Sequence, residues 1–316
     1  MKIAVLDAST LGEDLDLTPL SALGEVCAYA NTPVGQAAER VRDADVIVIN
    51  KFRCNEETLK GAEKLRLICV AATGFDNIDI AYCRCRHIAV CNVVGYSTHS
   101  VAQLTLAMVL SLSTHLQEYD TYTKSGAYTR SGAANAVSPV YHELKGKTWG
   151  ILGFGNIGRQ VARVAEAMGC RVLVCKRTPV ADYPCVSFDD LCRFSDVLTL
   201  HSPLNEQTRG ILNADRLATM KKTAILVNAA RGAVVDEAAV TEAVLNGTVA
   251  AYGCDVYSEE PLSSSHPYQR LMGLSNVILT PHMAWGAYEA RKRCLEEICE
   301  NIKVFFDGGV RNRVEL

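Results

Sequence analysis

WGILGFGNIGRQVARVAEAMGCRVLVCKR, residues 149–177, sets a short apolar run before Gly153-x-Gly155-x-x-Gly158, then a helical stretch ending near Gly169, then a second apolar run over Arg171–Cys175. A glycine pattern on its own is weak evidence; between a strand and a helix it is the fingerprint of a dinucleotide site. Gly153 permits the tight turn, Gly155 lets a pyrophosphate approach the backbone, and Gly158 lets the helix pack close to the sheet. The unpaired N–H groups at the helix start, with the positive end of its dipole, would hold the phosphates. Without a ligand, the same residues would be only a glycine-rich turn between strand and helix.

The end of the second strand selects between cofactors. An Asp or Glu there would accept the adenine-ribose hydroxyls of NAD. This chain has Lys176, Arg177 and Thr178 instead. Two cations attract a 2′-phosphate, and an Arg can grip it with two parallel hydrogen bonds. NADP(H) is therefore the expected cofactor and NAD(H) the alternative, unless both cations are simply solvated turn charges.

Outward from this segment, apolar runs alternate with helical stretches along the chain: Lys2–Leu6, Val46–Asn50, Leu67–Ala71, Ile88–Asn92, Trp149–Leu152, Arg171–Cys175, Val197–Leu200, Ala224–Asn228, Ala251–Asp255 and Val277–Leu279. Most are continuously apolar, as parallel strands covered on both faces are. The fold class is α/β, with two doubly wound, Rossmann-like domains. Residues 1–97 and 286–316 form the expected substrate domain, and 98–285 the inserted dinucleotide-binding domain. Residues 100–124 read as one helix, buried at its start, and Ser125–Pro139 as a loop or arm. A closing amphipathic helix, about Ala287–Phe306, places Leu295, Ile298, Ile302 and Phe305 on one face. Arg291, Lys292, Arg293, Glu296, Glu297 and Glu300 look solvated, and the helix is expected to cross back to the first domain. Two such lobes would leave a cleft between them for a substrate.

Length and composition bound the rest. A chain of 316 residues fits two domains. A net charge of −3 gives no support to nucleic-acid or anionic-membrane binding, which favour basic proteins. No apolar run approaches a membrane span, and the start MKIAVLDAST reads as a strand, not a signal peptide. Thirteen scattered cysteines, many inside apolar strands, then suggest a reducing cytoplasm. Cys83, Cys85, His87 and Cys91 invite a zinc reading, but no second C-x-x-C pair completes it, and no metal is expected.

Three further motifs sit at carboxyl ends of expected strands, where ligands of doubly wound sheets bind. They are Asn228-Ala229-Ala230-Arg231-Gly232, Gly253-Cys254-Asp255-Val256-Tyr257-Ser258-Glu259-Glu260-Pro261, and Thr280-Pro281-His282-Met283-Ala284-Trp285. Each carries one ionisable residue on a turn. An isolated Arg, Glu or His there is usually only solvated; together, beside a nicotinamide site, they are a working set for carbonyl reduction.

With these motifs in this order after the glycine loop, the chain resembles the D-2-hydroxyacid dehydrogenase family over essentially its whole length. NVVGYSTHSVAQ (residues 92–103) and PHMAW resemble the glycerate dehydrogenase, or hydroxypyruvate (glyoxylate) reductase, branch. The resemblance implies a proton from His282 to the carbonyl of a 2-keto acid as hydride arrives from the nicotinamide. Glu260 would pair with the imidazolium and fix the ring, and Arg231 would bind the substrate carboxylate through its planar fork. Thr73 and Gly74 would offer backbone N–H groups to the same carboxylate, and Trp285 would form part of the substrate wall. The cofactor would be lined by Asn156 and Ile157 at the pyrophosphate turn, by His201, Ser202, Pro203 and Thr208, by Ala229, Ala230 and Arg231 on the nicotinamide side, and by His282 and Ala284. Asp255 would hold the carboxamide. His201 tempts as a base, but the family places its loop on the adenosine side. A homodimer through residues 100–139 is also implied. Two alternatives stay open: another 2-keto acid with the same chemistry, or a dinucleotide-sensing corepressor or scaffold on the same fold.

Overall fold

The computed structural model describes residues 1–316. The chain forms two compact units, Met1–Ser97 with Gly286–Leu316, and Thr98–Trp285.

The first unit contains five parallel strands: β1 (Lys2–Val5), β2 (Glu25–Ala28), β3 (Val46–Ile49), β4 (Leu67–Val70) and β5 (Ala89–Cys91), in the order β2-β1-β3-β4-β5. Every residue of β3, β4 and β5 is buried, which explains their unbroken apolar sequence. β2 was not expected. It is an edge strand with no fully buried residue, and its run Val26-Cys27-Ala28 holds only one strongly apolar side chain. The helix Tyr288–Phe306 packs against β4 and buries Leu295, Ile298 and Ile302. Three of its charged residues are not merely solvated. Arg293 donates to Tyr96 O at 3.0 and 3.1 Å. Arg291 forks onto Asp14 at 2.6 and 2.8 Å and donates to Leu11 O at 2.9 Å, and Glu297 pairs with Arg311 at 2.5 Å. These bonds pin both ends of the segment to its own unit.

Strand order reverses between β1 and β3, and a crevice opens there outside the carboxyl ends of the strands. Asp7, following β1 and 5% exposed, fills it. Its carboxylate accepts the N–H groups of Asn50, Lys51 and Phe52 at 3.0, 2.6 and 2.8 Å. Hydrogen bonds to a charged group contribute about 1.5–3 kcal/mol each, so this crevice is closed by the protein's own anion.

The second unit contains β6 (Thr148–Leu152), β7 (Arg171–Cys175), β8 (Val197–Leu200), β9 (Ile225–Asn228), β10 (Ala251–Cys254) and β11 (Val277–Leu279). All neighbours are parallel, in the order β11-β10-β9-β8-β6-β7, so the reversal lies between β6 and β8. Alternate side chains feed two cores. Leu198, Leu226 and Tyr252 point to one face, and Trp149, Ile151, Val197 and Val227 to the other. The helix Thr98–Ser113 covers the second face with Ala102, Met108, Val109 and Leu112. The single helix expected over residues 100–124 is in fact two, Thr98–Ser113 and Leu116–Lys124. His115 breaks it in a left-handed conformation (φ 52°), held by its ring's contact with Glu118 at 2.8 Å. Residues 125–139 are not loop throughout. A short helix, Ala127–Ser131, sits between Gly126 and Gly132, both at positive φ.

Candidate active site

The reversal between β6 and β8 brings two loops together at Gly153. Its φ is +88°, and a Cβ there would lie 2.5 Å from Ser202 N and 2.7 Å from His201 C. A Cβ on Gly158 would meet Gly153 O at 2.3 Å, which is the close helix–strand packing expected of the third glycine. Gly155 has nothing within 4 Å of a would-be Cβ, and the helix Asn156–Ala167 that it caps receives no side-chain hydrogen bond at its start. The opened turn thus presents bare N–H groups. Beside it, Ser202 Oγ and both ring nitrogens of His201 are buried without a partner. Buried polar atoms are nearly always paired, so these orphaned groups fit a bound polar molecule. Burial holds the His201 imidazole far below its ordinary value, at about 3, so the ring is neutral and no base at neutral pH. Lys176, Arg177 and Thr178 follow β7 as exposed residues. The contrast with the first unit is direct: one reversal point is filled by Asp7, and at the other the helix start receives no side-chain cap.

Three strand ends on the β9–β11 side carry the ionisable residues. After β9, the buried Asn228 stitches the turn: Nδ2 donates to Arg231 O at 3.0 Å, and Oδ1 accepts the Ala230 N–H at 3.1 Å. Arg231 Nη1 donates to Ala230 O at 2.8 Å. After β10, Glu260 accepts the Tyr257 N–H at 3.1 Å. After β11, His282 stands at φ 51°, and its Nδ1 lies 2.7 Å and 2.8 Å from the two Glu260 oxygens. The pair is about three-quarters buried, with side-chain exposures of 23% and 29%. With Nδ1 engaged by the carboxylate, Nε2 is the nitrogen that can carry a proton to a substrate.

A family profile described as "D-isomer specific 2-hydroxyacid dehydrogenase, NAD binding domain" matches residues 106–284. The chain belongs to the D-2-hydroxyacid dehydrogenase family. It is 34% identical to a hydroxypyruvate reductase of Blautia hydrogenotrophica over 99% of both chains. It is 38% identical to a glyoxylate reductase of Thermococcus kodakarensis, covering 86% of this chain and 83% of that one. Among solved structures, a D-lactate dehydrogenase from Aquifex aeolicus complexed with NAD and lactic acid superposes with a TM-score of 0.85 at 28% identity, over 99% of each chain. An acyclic imino acid reductase in complex with NADPH and D-Arg superposes at 0.87 and 26% identity, over 99% of this chain and all of that one. The chain is thus a nicotinamide-dependent oxidoreductase acting on small 2-hydroxy and 2-keto acids. No helix is long and apolar enough to cross a membrane.

Several residues carried over from the family acquire a second, structural task in this enzyme. Asp255 is 1% exposed, and its carboxylate accepts from Thr280 Oγ1 at 2.6 Å, Met283 N at 2.9 Å and Ala284 N at 2.9 Å. Burial pushes its carboxyl above the ordinary Asp range, opposed by those three bonds. It therefore ties both sides of the His282 turn to the end of β10. Trp285 donates its indole N–H to His282 O at 3.0 Å, and Tyr257 donates its hydroxyl to Thr280 O at 2.8 Å. The backbone around His282 is held at four groups, the Met283 and Ala284 N–H and the His282 and Thr280 carbonyls, which is how a strained φ persists. Tyr257 and Thr280 were not singled out in the sequence. Thr208 Oγ1 accepts the Asn205 N–H at 2.8 Å and donates to Pro203 O at 2.7 Å, folding the loop after β8 on itself. In the first unit, Thr73 Oγ1 donates to Val93 O at 2.7 Å, while the N–H groups of Thr73 and Gly74 make no hydrogen bond within the chain. The next helix begins only at Ile80, so Thr73 and Gly74 lie in a loop and not at a helix terminus.

Proposed function

We propose that the enzyme reduces glyoxylate or hydroxypyruvate with NADP(H) in preference to NAD(H). The observation that carries the catalytic reading is the 2.7 Å contact of His282 Nδ1 with Glu260, which fixes the tautomer and leaves Nε2 to deliver the proton. Arg231 binds the substrate carboxylate, and its fixed charge polarises the adjacent carbonyl. The bare N–H groups after Gly155, with Ser202 and His201, hold the phosphates and adenosine side of the dinucleotide. The nicotinamide supplies the hydride. His282 Nε2 gives its proton to the carbonyl oxygen as negative charge grows there, and the neutral ring is re-protonated from solvent.

Two features support the finer assignments. The relatives named above include a hydroxypyruvate reductase and a glyoxylate reductase, which supports a small keto acid. Lys176 and Arg177 support the 2′-phosphate. A charge-assisted bond contributes about 1.5–3 kcal/mol, so kcat/KM for NADPH should exceed that for NADH by about 10-fold or more. The test is initial-rate kinetics on glyoxylate, hydroxypyruvate, pyruvate and phenylpyruvate with each reduced cofactor. An NADH preference would overturn the cofactor assignment, and phenylpyruvate as the best acceptor would overturn the small-acid assignment.

A further inference from the structure

One dipeptide, Tyr257–Ser258, touches all three catalytic segments. The Tyr257 N–H donates to Glu260 Oε1 at 3.1 Å, and its hydroxyl donates to Thr280 O, two residues before His282. A Cβ on Gly232 would lie 2.0 Å from Tyr257 C and 2.1 Å from Ser258 N, so the residue after Arg231 rests against the link between the two. Beyond it, Ser258–Pro261 is without regular structure. The place of Glu260 therefore depends on where that link is anchored.

A buried pair supplies the anchor. Glu237 opens the helix Glu237–Leu245. Its Oε1 accepts the Ser258 N–H at 2.8 Å, and its Oε2 accepts the Ser258 hydroxyl and His266 Nε2–H, the latter at 3.0 Å. The side chains of His266 and Glu237 are 3% and 8% exposed. His266 Nδ1 accepts the Tyr268 N–H at 3.2 Å, so that nitrogen carries no proton and the ring's N–H must be at Nε2, aimed at Glu237. Nothing in the reaction as described uses either residue.

We propose that Glu237 and His266 are positioning residues: they clamp Ser258 and thereby set where Glu260 meets His282. The inference rests on the reading that His282 delivers the proton. His266 fixes the orientation of the Glu237 carboxylate, Glu237 fixes both polar groups of Ser258, and the link so held presents Glu260 to the ring. A displacement of about 1 Å at this point is enough to cost on the order of 100-fold in rate.

His266→Asn isolates the effect. The Asn side-chain oxygen can still accept the Tyr268 N–H and cap the following turn, while the donor to Glu237 is lost. The variant should fold with a Tm near that of the parent. Its kcat for keto-acid reduction should fall about 10- to 100-fold, with KM for the keto acid and Kd for the cofactor little changed. His266→Gln, which returns an N–H near the Nε2 position, should recover much of that loss. In a Glu260→Gln background, His266→Asn should cost little more, because both act on one contact. Unchanged kcat, a loss that multiplies with that of Glu260→Gln, or a loss that merely follows Tm would each overturn the proposal. Ser258→Ala is the milder variant should His266→Asn fail to fold, with the same expected split. Imidazole ¹⁵N resonances of His282 give a readout without turnover: they should move in His266→Asn, and unmoved resonances would overturn the clamp even if the parent proved to reduce none of the acids in the panel. Absence of turnover in the parent, by contrast, would count against the proposed function alone.

Discussion

Replacing His282 by Ala should lower kcat for keto-acid reduction by about 10²- to 10⁴-fold, the usual contribution of a positioned general acid. Cofactor affinity should hardly change. The turn that carries the residue is secured without the imidazole: Asp255 binds the N–H groups of Met283 and Ala284, Trp285 binds the 282 carbonyl, and Tyr257 binds the Thr280 carbonyl. The substitution therefore removes the proton donor and leaves its seat. Initial rates against keto acid, with cofactor binding followed by fluorescence, separate the two effects. Parent-like kcat in this variant would remove His282 from the chemistry.

Arg231→Lys is the second large effect, although it keeps the charge. Two parallel N–H···O bonds to a carboxylate need a planar fork, and an ammonium has none. Losing one charge-assisted bond of about 1.5–3 kcal/mol lowers kcat/KM by about 10- to 100-fold. The loss should fall on both constants: KM rises because the carboxylate is held less well, and kcat drops because the carbonyl is turned from the proton donor. Asn228 binds the 231 carbonyl and the Ala230 N–H through its own side chain, so the turn should survive the exchange. An unchanged KM for the keto acid would mean that Arg231 does not hold the carboxylate.

Much of this architecture was legible in the sequence because burial on both faces leaves continuous apolar runs. β3, β4 and β8 are buried at every position, and each lies within a residue of its expected bounds. β2 escaped notice for the opposite reason: at the sheet edge its residues face partly outward, and no period survives in four residues. The break at His115 has no compositional mark, since its left-handed backbone depends on a contact with Glu118. The proposed catalytic residues stood out because Arg231, Glu260 and His282 each follow a strand in a recognisable string. Their supports did not. Glu237 reaches Ser258 across 21 residues and His266 across 29, and a lone buried carboxylate or imidazole shows no partner in sequence. Asp255 was visible as a motif residue, but its grip on the His282 turn is a product of the fold, where β10 lies beside β11.

The central claim is that His282 Nε2 delivers the proton while Arg231 holds the carboxylate. A crystal structure with NADPH and oxamate, an inert 2-keto acid mimic, tests it most directly. Nε2 should lie at about 2.6–3.2 Å from the oxygen that stands for the substrate carbonyl, with the guanidinium forked on the carboxylate and Nδ1 still on Glu260. Oxamate bound with its carbonyl oxygen on another donor, and the imidazole turned from it, would contradict the account.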